Sequence, residues 1–177
     1  MKEAAKHRTK WIIYKFRDPD GEVAALLKQG ADVDKVMGLY PDRFIVEEQA
    51  EDNCLLNEGI QYFEDIIAGI VGSPTLWDNT NARVGVGNSD TAADPAQTDL
   101  LGASKAYAGM DATYPSRSGQ ALSWRGTFGD GVAEFAWEEF VVDNGSVSGK
   151  TLNRKVTSKG TKGAGEAWTL TVEITFS

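Results

Sequence analysis

Near its end the sequence reads Trp168-Thr169-Leu170-Thr171-Val172-Glu173-Ile174-Thr175-Phe176. Large apolar residues alternate strictly with threonine or glutamate in this stretch. Because successive side chains of a β-strand point to opposite faces, the alternation predicts a strand with one apolar face and one polar face. A second layer must cover the apolar face. The stretch therefore predicts a mainly β protein, an antiparallel β-sandwich that is either jelly-roll-like or a meander.

Other segments show shorter strand patterns that are separated by turn signals. We predict these strands over residues 10–16, 43–48, 82–86, 121–128 and 152–157. Gly129-Asp130-Gly131 predicts a hairpin that leads into a further strand over residues 133–142. The apolar side chains of that strand change face after Trp137, and a β-bulge at Glu138-Glu139 would explain the change.

Helical patterns are fewer. Asn57 is a favourable N-cap, and residues 58–70 carry apolar side chains at three- and four-residue spacing: Ile60, Phe63, Ile66, Ile67 and Ile70. This pattern predicts one short amphipathic helix, whose apolar stripe we expect to cover one end of the sheet. Residues 22–29 favour another short helix, with the return strand of a hairpin as the alternative, and residues 32–38 can add a helical turn.

Charge is distributed unevenly along the chain, which has a net charge of −8. Residues 1–17 carry six basic side chains against one acid, whereas residues 18–65 carry three against thirteen. We predict an extended N-terminal arm over residues 1–52, mostly acidic and containing a strand pair or short helix, followed by a helix and β-sandwich domain over residues 53–177. The basic surface is too small for a general nucleic-acid binder, because phosphate contacts supply most of that affinity.

Residues able to carry chemistry are sparse. The best carboxylate pairs for glycoside hydrolysis are Glu138 with Glu139 and Asp130 with Glu134, but solvated edge charges are the favoured interpretation. Loop oxygens that could bind calcium do not follow the spacing of an EF-hand; they belong to Asn88, Asp90, Asp94 and Asp99. We expect no catalytic residue and no cofactor.

Metal and membrane sites are also unexpected from the sequence. His7 and Cys54 are the single histidine and the single cysteine, which excludes an internal disulfide and a zinc site of the usual ligands. No apolar run approaches the roughly 20 residues that span a bilayer. The basic N-terminal residues precede no apolar segment of the kind found in a secretory signal, so we expect synthesis in the cytoplasm.

Aromatic and basic residues supply the candidate contacts with a partner. Trp124, Trp137 and Trp168 fall on the apolar sides of strands and are predicted to be core residues, whereas Trp11 and Trp77 are predicted to be exposed. The segment 87–114 is too long for an ordinary connection, so we expect it either to be functional or to become ordered on contact with a neighbour. The candidate partner-binding residues are Lys6, Arg8, Lys10, Trp11, Trp77, Tyr107 and Met110.

Several short motifs from residue 53 onward together resemble those of one known family. They are Asn53-Cys54-Leu55-Leu56-Asn57-Glu58-Gly59-Ile60, Ala82-Arg83-Val84-Gly85-Val86-Gly87, Gln97-Thr98-Asp99-Leu100, Met110-Asp111-Ala112-Thr113-Tyr114-Pro115, Phe135-Ala136-Trp137-Glu138-Glu139 and Leu152-Asn153-Arg154 with Gly160-Thr161-Lys162. In these motifs the chain resembles a widespread family of virion structural proteins of tailed bacteriophages, which are capsid decoration (cement) proteins or tail components. Residues 18–50 do not take part in the resemblance.

The resemblance implies a location in the virion and a role without catalytic residues. As a decoration protein, the chain would bind the assembled lattice of the major capsid protein and neighbouring copies of itself, as a homo-oligomer such as a dimer or trimer. No membrane and no specific nucleic acid are expected as partners. A tail or neck component, or a surface carbohydrate-binding module of the virion, is the alternative.

Overall fold

The computed structural model describes residues 7–145 and 149–176. Over these residues the chain forms two five-stranded antiparallel sheets and three α-helices, which confirms the predicted mainly β sandwich. In chain order the elements are β1 (His7–Arg17), α1 (Glu22–Lys28), α2 (Val33–Leu39), a 3-10 turn (Pro41–Arg43), β2 (Phe44–Glu51), β3 (Cys54–Leu55), α3 (Asn57–Ile67), β4 (Arg83–Gly87), β5 (Lys105–Gly109), β6 (Ser116–Ser118), β7 (Ala121–Phe128), β8 (Glu139–Asp143), β9 (Thr151–Val156) and β10 (Glu166–Phe176).

The strand order is β2-β1-β10-β7-β6 in sheet A and β3-β9-β8-β4-β5 in sheet B. β10, which contains the alternating stretch, lies at the centre of sheet A between β1 and β7. Its apolar side chains from Trp168 to Ile174 are buried, whereas Phe176 at the end of the alternation is exposed. The strands predicted over residues 10–16, 43–48, 82–86, 121–128 and 152–157 correspond to β1, β2, β4, β7 and β9.

The main core lies between the two sheets. Trp137 is fully buried there, with ring centroids 4.8 Å from Trp168 and 5.0 Å from Phe128. Trp124 belongs to the same cluster. The prediction that Trp124, Trp137 and Trp168 are core residues is therefore confirmed. Edge-to-face contacts between such large rings add to the stability that burial of their surface provides.

Two short helices form a partial third layer on the outer face of sheet A. The apolar side of α1 and α2 packs against Phe16 and Ala167, which point away from the main core. Asp18 caps α1, because its carboxylate accepts hydrogen bonds from the N–H groups of Val23 and Ala24, both at 2.9 Å. The helix predicted over residues 22–29 is thus confirmed, and the hairpin alternative is wrong.

The N-terminal part of the described chain is not an arm. β1 pairs with β10 along its whole length, from His7 opposite Phe176 to Arg17 opposite Glu166, and pairs with β2 on its other side. The apolar face of β1 completes the main core through Trp11 and Ile13. The division predicted at residue 52 therefore does not coincide with a boundary between structural units.

The hairpin predicted at Gly129-Asp130-Gly131 is wrong. β7 belongs to sheet A and β8 to sheet B, so residues 129–138 cross from one sheet to the other. Ala133 has a positive φ of 59°, and its carbonyl accepts the indole N–H of Trp137 at 3.0 Å. The apolar side chains change face here because the chain changes sheets, and not because of a β-bulge in one strand.

The predicted amphipathic helix is confirmed as α3, but the predicted packing of its apolar stripe against the sheet is not. α3 ends at Ile67, and Gly69 follows with φ 69°. The N–H groups of Gly69 and Ile70 donate to the carbonyls of Ile66 and Asp65, which is the Schellman arrangement of a helix C-terminus. Its apolar stripe is covered only in part: Ile60 and Ile66 are half-buried, whereas Phe63, Ile67 and Ile70 are exposed. Among the described residues, no helix is both long and apolar enough to cross a membrane.

Candidate docking site

α3 is attached to sheet B through its first turn. A Cβ atom at Gly59 would lie 2.6 Å from the Cα atom of Leu152 and 2.6 Å from the carbonyl oxygen of Thr151, so glycine is required for this close approach to β9. The Glu58 carboxylate accepts a hydrogen bond from the Thr151 N–H at 2.8 Å and lies 3.7 Å from the Lys150 ammonium group. These contacts set the direction in which the helix leaves the sheet.

A second attachment follows one turn later. The ring of Tyr62 meets the ring of Trp77 edge-on at 5.7 Å, and the Tyr62 hydroxyl accepts a hydrogen bond from the Thr75 N–H at 2.8 Å. Trp77 in turn packs against the main core, and its carbonyl accepts the indole N–H of Trp124 at 3.0 Å. The helix and the segment that follows it are therefore fixed to the sandwich.

Part of the surface of α3 and of the turn that follows it is exposed and apolar. This patch, here called the α3 ridge, is formed by Phe63 and Ile67 of the helix and by Ile70 of the turn, with exposed fractions of 46%, 71% and 71%. Phe63 and Ile67 are four residues apart and therefore lie on one face of α3, whereas Ile70 follows the left-handed Gly69 and is outside the helical spacing. Single exposed apolar side chains are ordinary on protein surfaces, but three so close together at the end of a fixed helix are a candidate interaction site.

The charge around the ridge is negative. Residues 57–82 contain four acids and no lysine or arginine. Glu64 follows Phe63 and is exposed, about 100° around the helix axis from it. Within residues 7–145 and 149–176, no cation lies within ion-pair distance of Glu64 or Asp65. The ridge is thus an apolar surface beside carboxylates that the described chain does not neutralise.

The predicted basic contacts lie elsewhere. Lys6 is outside the described residues. Arg8 is exposed and Lys10 half-buried on β1, where they line a shallow polar depression together with Glu51 and Glu173. Their positive charge is therefore partly balanced by neighbouring carboxylates, and they are on a different part of the surface from the ridge.

The prediction that Trp11 is exposed is wrong. The side chain is 1% exposed, its ring centroid lies 6.0 Å from that of Phe140, and its indole N–H donates to the carbonyl of Asp52 at 3.1 Å. The physical reason is the register of β1, which places Trp11 opposite Val172 of β10. Its side chain therefore belongs to the inner face of the sheet.

Three further predicted contacts are half-buried. Tyr107 donates its hydroxyl to the Asp99 carboxylate and stacks under the Arg83 guanidinium group at 4.3 Å. Burial, followed by the bond to Asp99, raises the pKa of Tyr107 well above its usual value. Met110 packs against the main core, as does Trp77. The structure does not bring the six predicted residues within its described range together into one surface, and the roles of all seven in partner binding stay predictions.

The long segment 87–114 is ordered by contacts within the chain. Its last part contains β5, which pairs with β4. The preceding loop is held by Glu139, whose carboxylate accepts hydrogen bonds from the N–H groups of Leu101 at 2.9 Å and Gly102 at 2.6 Å. Arg154 binds the same carboxylate and also donates to the carbonyl of Thr91 at 3.0 Å. The prediction that this segment needs a neighbour for its order is therefore wrong.

The same contacts bear on the candidate chemistry. Glu139 and Arg154 both have fully buried side chains, with the Arg154 Nη2 atom 2.7 Å from the carboxylate, so Glu139 is not a solvated edge charge. In the loop, Asn88 accepts a hydrogen bond from the Ser104 N–H and Asp99 is bound by Tyr107. Among the residues that the structure describes, no three His, Cys, Asp or Glu side chains are grouped so as to hold a metal ion.

The α3 ridge is the feature that sequence reasoning missed. The periodicity of α3 identified the apolar stripe correctly, but it predicted that the stripe faces the sheets. Gly59 was the available signal, because a glycine inside a helix indicates close packing on the side where it lies. The close approach at Gly59 attaches the helix to β9 by its first turn, and Phe63 and Ile67, which lie further along the helix, are left exposed.

Comparisons with known proteins find little. No family model and no solved structure matches the chain. Alanine racemases of Streptococcus pyogenes serotypes M6 and M18 are each 28% identical to it over 104 residues, which make up 59% of this chain and 27% of each racemase. The chain thus spans about a quarter of the length of these curated relatives. A match of this identity and extent is not enough to assign the chain to a family.

Proposed function

We propose that this chain is a non-enzymatic structural protein of a phage virion, most specifically a capsid decoration (cement) protein. It binds the assembled lattice of the major capsid protein and stabilises the head. The observation that carries the proposal is the α3 ridge, an exposed apolar patch at the end of a helix that is fixed to a rigid sandwich. The resemblance of the motifs from residue 53 onward to phage virion proteins supports the same class.

The interior of the sandwich suits a structural role. Its buried carboxylates are engaged by buried cations, Glu139 by Arg154 and Asp111 by Arg125 at 2.8 Å. Arg125 also donates to the carbonyls of Leu27 and Ala31 near the end of α1, so that pair ties the helical layer to sheet A. Charged groups that on other proteins perform acid–base chemistry are here used to hold layers and loops in place.

A decoration protein acts by mass action. A ligand that binds only the assembled lattice stabilises it by about 2.7 kcal/mol per site when its free concentration is about 100 times Kd. Each occupied lattice position adds the same increment, so the total stabilisation of the head grows with the number of copies bound. Contacts between neighbouring copies, as a dimer or trimer, would add to the affinity for the lattice.

The proposal is tested with capsids purified from phage in which the gene for this chain has been deleted. We expect the purified chain to bind them saturably, to add density at equivalent lattice positions in electron microscopy maps, and to raise the temperature of capsid disruption. Absence of binding would contradict the proposal. Assembly of the chain into rings without capsids, or binding to purified tails alone, would favour a tail or neck component instead.

A further inference from the structure

We infer that the α3 ridge docks a partner segment in which apolar side chains are flanked by lysine or arginine. Placing this segment on the outer surface of the capsid subunit rests on the proposed function. The chemistry of the segment rests on the ridge and its charges alone.

The ridge defines the apolar part of the partner. Phe63 and Ile67 are four residue steps apart, which corresponds to about 6 Å along the helix axis, and Ile70 extends the ridge beyond the end of the helix. A partner helix of one or two turns or a short extended segment can cover this surface, so two or three apolar side chains of the partner can lie along the ridge. Ile67, which lies between the other two in the chain and is 71% exposed, is its centre.

The negative charge beside the ridge indicates which charged residues the partner carries. Glu64 borders the ridge, Asp65 follows it, and residues 57–82 provide no lysine or arginine to compensate them. A lysine or arginine beside the apolar residues of the partner would pair with Glu64 at the rim of the contact. Such rim charges act mainly on specificity and on the rate of association, which makes them sensitive to salt.

The same charges argue against two other occupants. A second copy docking ridge to ridge would bring the Glu64 carboxylates of the two chains into the same contact, and like charges facing each other at an interface are costly. Asp65 lies on the other side of the helix, about 160° from Phe63 and Ile67, and takes no part in this. An anionic lipid surface would be repelled for the same reason. A basic partner segment gains from the charges that these occupants would have to overcome.

The ridge needs little reorganisation to bind. Gly59 fixes the first turn against β9, the Tyr62 ring and hydroxyl fix the middle, and the Schellman arrangement holds Ile70 at the end. A pre-ordered surface pays less conformational entropy on association than a flexible one. A ridge of three side chains can therefore contribute measurably to affinity.

The test uses the full chain and the gene-deleted capsids described above. Ile67→Asp places a charge at the centre of the ridge, and Glu64→Lys reverses the rim charge. The matched controls are Leu39→Asp and Asp42→Lys, which make the same changes at exposed positions on and beside α2. Because all four positions are exposed, the urea unfolding midpoint of each variant should equal that of the wild type.

We expect Ile67→Asp to weaken capsid binding about tenfold or more, as for a central contact residue. Glu64→Lys should weaken it several-fold and flatten its dependence on salt between about 50 mM and 500 mM. Both control variants should bind within about twofold of the wild type. If the wild type binds capsids and the two ridge variants bind equally well, the inference is wrong while the proposed function stands.

A second measurement does not depend on capsids. A synthetic amphipathic peptide of leucine and lysine is titrated into the labelled chain, and a leucine and glutamate peptide serves as the control. We expect amide chemical shifts of α3 to respond to the first peptide, not to the second, and this response to disappear in Ile67→Asp. Equal responses to both peptides, or none, would overturn the inference. A wild-type dimer that Ile67→Asp converts to monomer would instead identify a second copy as the occupant.

Discussion

Replacing Glu139 by glutamine tests whether the buried ion pair holds the loop before β5 in place. Glu139 and Arg154 are both 0% exposed, and two donors of Arg154 lie 2.8 and 2.7 Å from one oxygen of the carboxylate. The N–H groups of Leu101 and Gly102 complete the site. Glutamine keeps the size of the side chain but removes its charge and replaces one acceptor oxygen by a donor.

The expected loss is large because the guanidinium group of Arg154 then remains buried without a counter-charge. Removing one partner of a buried pair costs about 3 to 5 kcal/mol. This is a substantial fraction of the about 5 to 15 kcal/mol that stabilises a typical domain. With a urea m-value of about 2 kcal/mol/M, the unfolding midpoint of Glu139→Gln should fall by about 2 M.

The assay is urea unfolding followed by tryptophan fluorescence, with Glu138→Gln as the matched control. Glu138 is the preceding residue and is half-buried, with a hydrogen bond from Ser158 at 2.9 Å as its described side-chain contact, so its variant should change stability by about 0.5 kcal/mol or less. The double variant Glu139→Leu with Arg154→Met should lose less than the sum of the two single changes. A Glu139→Gln variant within about 1 kcal/mol of the wild type would refute the reasoning.

Three further predictions concern other parts of the fold. Removing residues 7–10 from β1 should lower the urea midpoint, because these residues pair with β10 and the last of them also with β2; an unchanged midpoint would contradict the pairing. The pKa of Asp20 is lowered to about 2 by its hydrogen bond with Arg43, so its carboxyl should titrate in NMR near that value and return towards 3.8 in Arg43→Ala. Since the folded pKa lies below the unfolded one, the stability from this pair is present above pH 3.8 and is lost as the pH falls towards 2. Gly59→Ala should destabilise the protein by about 1 to 3 kcal/mol, because the new Cβ atom would meet the backbone of β9. The matched control is Gly38→Ala in α2, which has open space around it and should stabilise the protein by up to about 1 kcal/mol. Equal denaturation midpoints for the two variants would disprove the packing argument.

Periodicity predicted the elements well wherever one face of a segment is apolar and the other polar. β10 and β7 alternate cleanly, and both were placed from the sequence. The short helices α1 and α2 lie where residues 22–29 and 32–38 were predicted to be helical, and in the structure the Asp32 carboxylate caps α2 by accepting hydrogen bonds from the N–H groups of Asp34 and Lys35. In these segments the local pattern and the tertiary environment agree.

Prediction failed where the burial of a side chain depends on which distant segment of the chain packs against it. β1 is apolar on both faces, since Trp11 and Ile13 face sheet B while Phe16 faces the helical layer. The pattern therefore could not tell that Trp11 is buried. For α3 the pattern showed which residues share a face, but how much of that face is covered depends on where the first turn attaches to β9, at Gly59.

The buried charges were invisible to pattern reasoning for a different reason. Arg125 and Arg154 are polar residues within strands, and polar residues are ordinarily assigned to the solvent face. Each is buried because a carboxylate distant in sequence meets it, Asp111 in one case and Glu139 in the other. Such pairs depend on the three-dimensional register and cannot be obtained from spacing along the chain.

The pairing of β1 with β10 also has a consequence for how the protein is made on the ribosome. β1 is synthesised well before β10 and can form a hairpin-like unit with β2 and the helices between them, whose contacts are comparatively local. Its inner face, with Trp11 and Ile13, stays uncovered until the residues of β10 have been synthesised. Long-range closure of this kind is slow, so the nascent chain carries an exposed apolar strand while the intervening residues are made, and chaperone binding to that strand would protect it from aggregation.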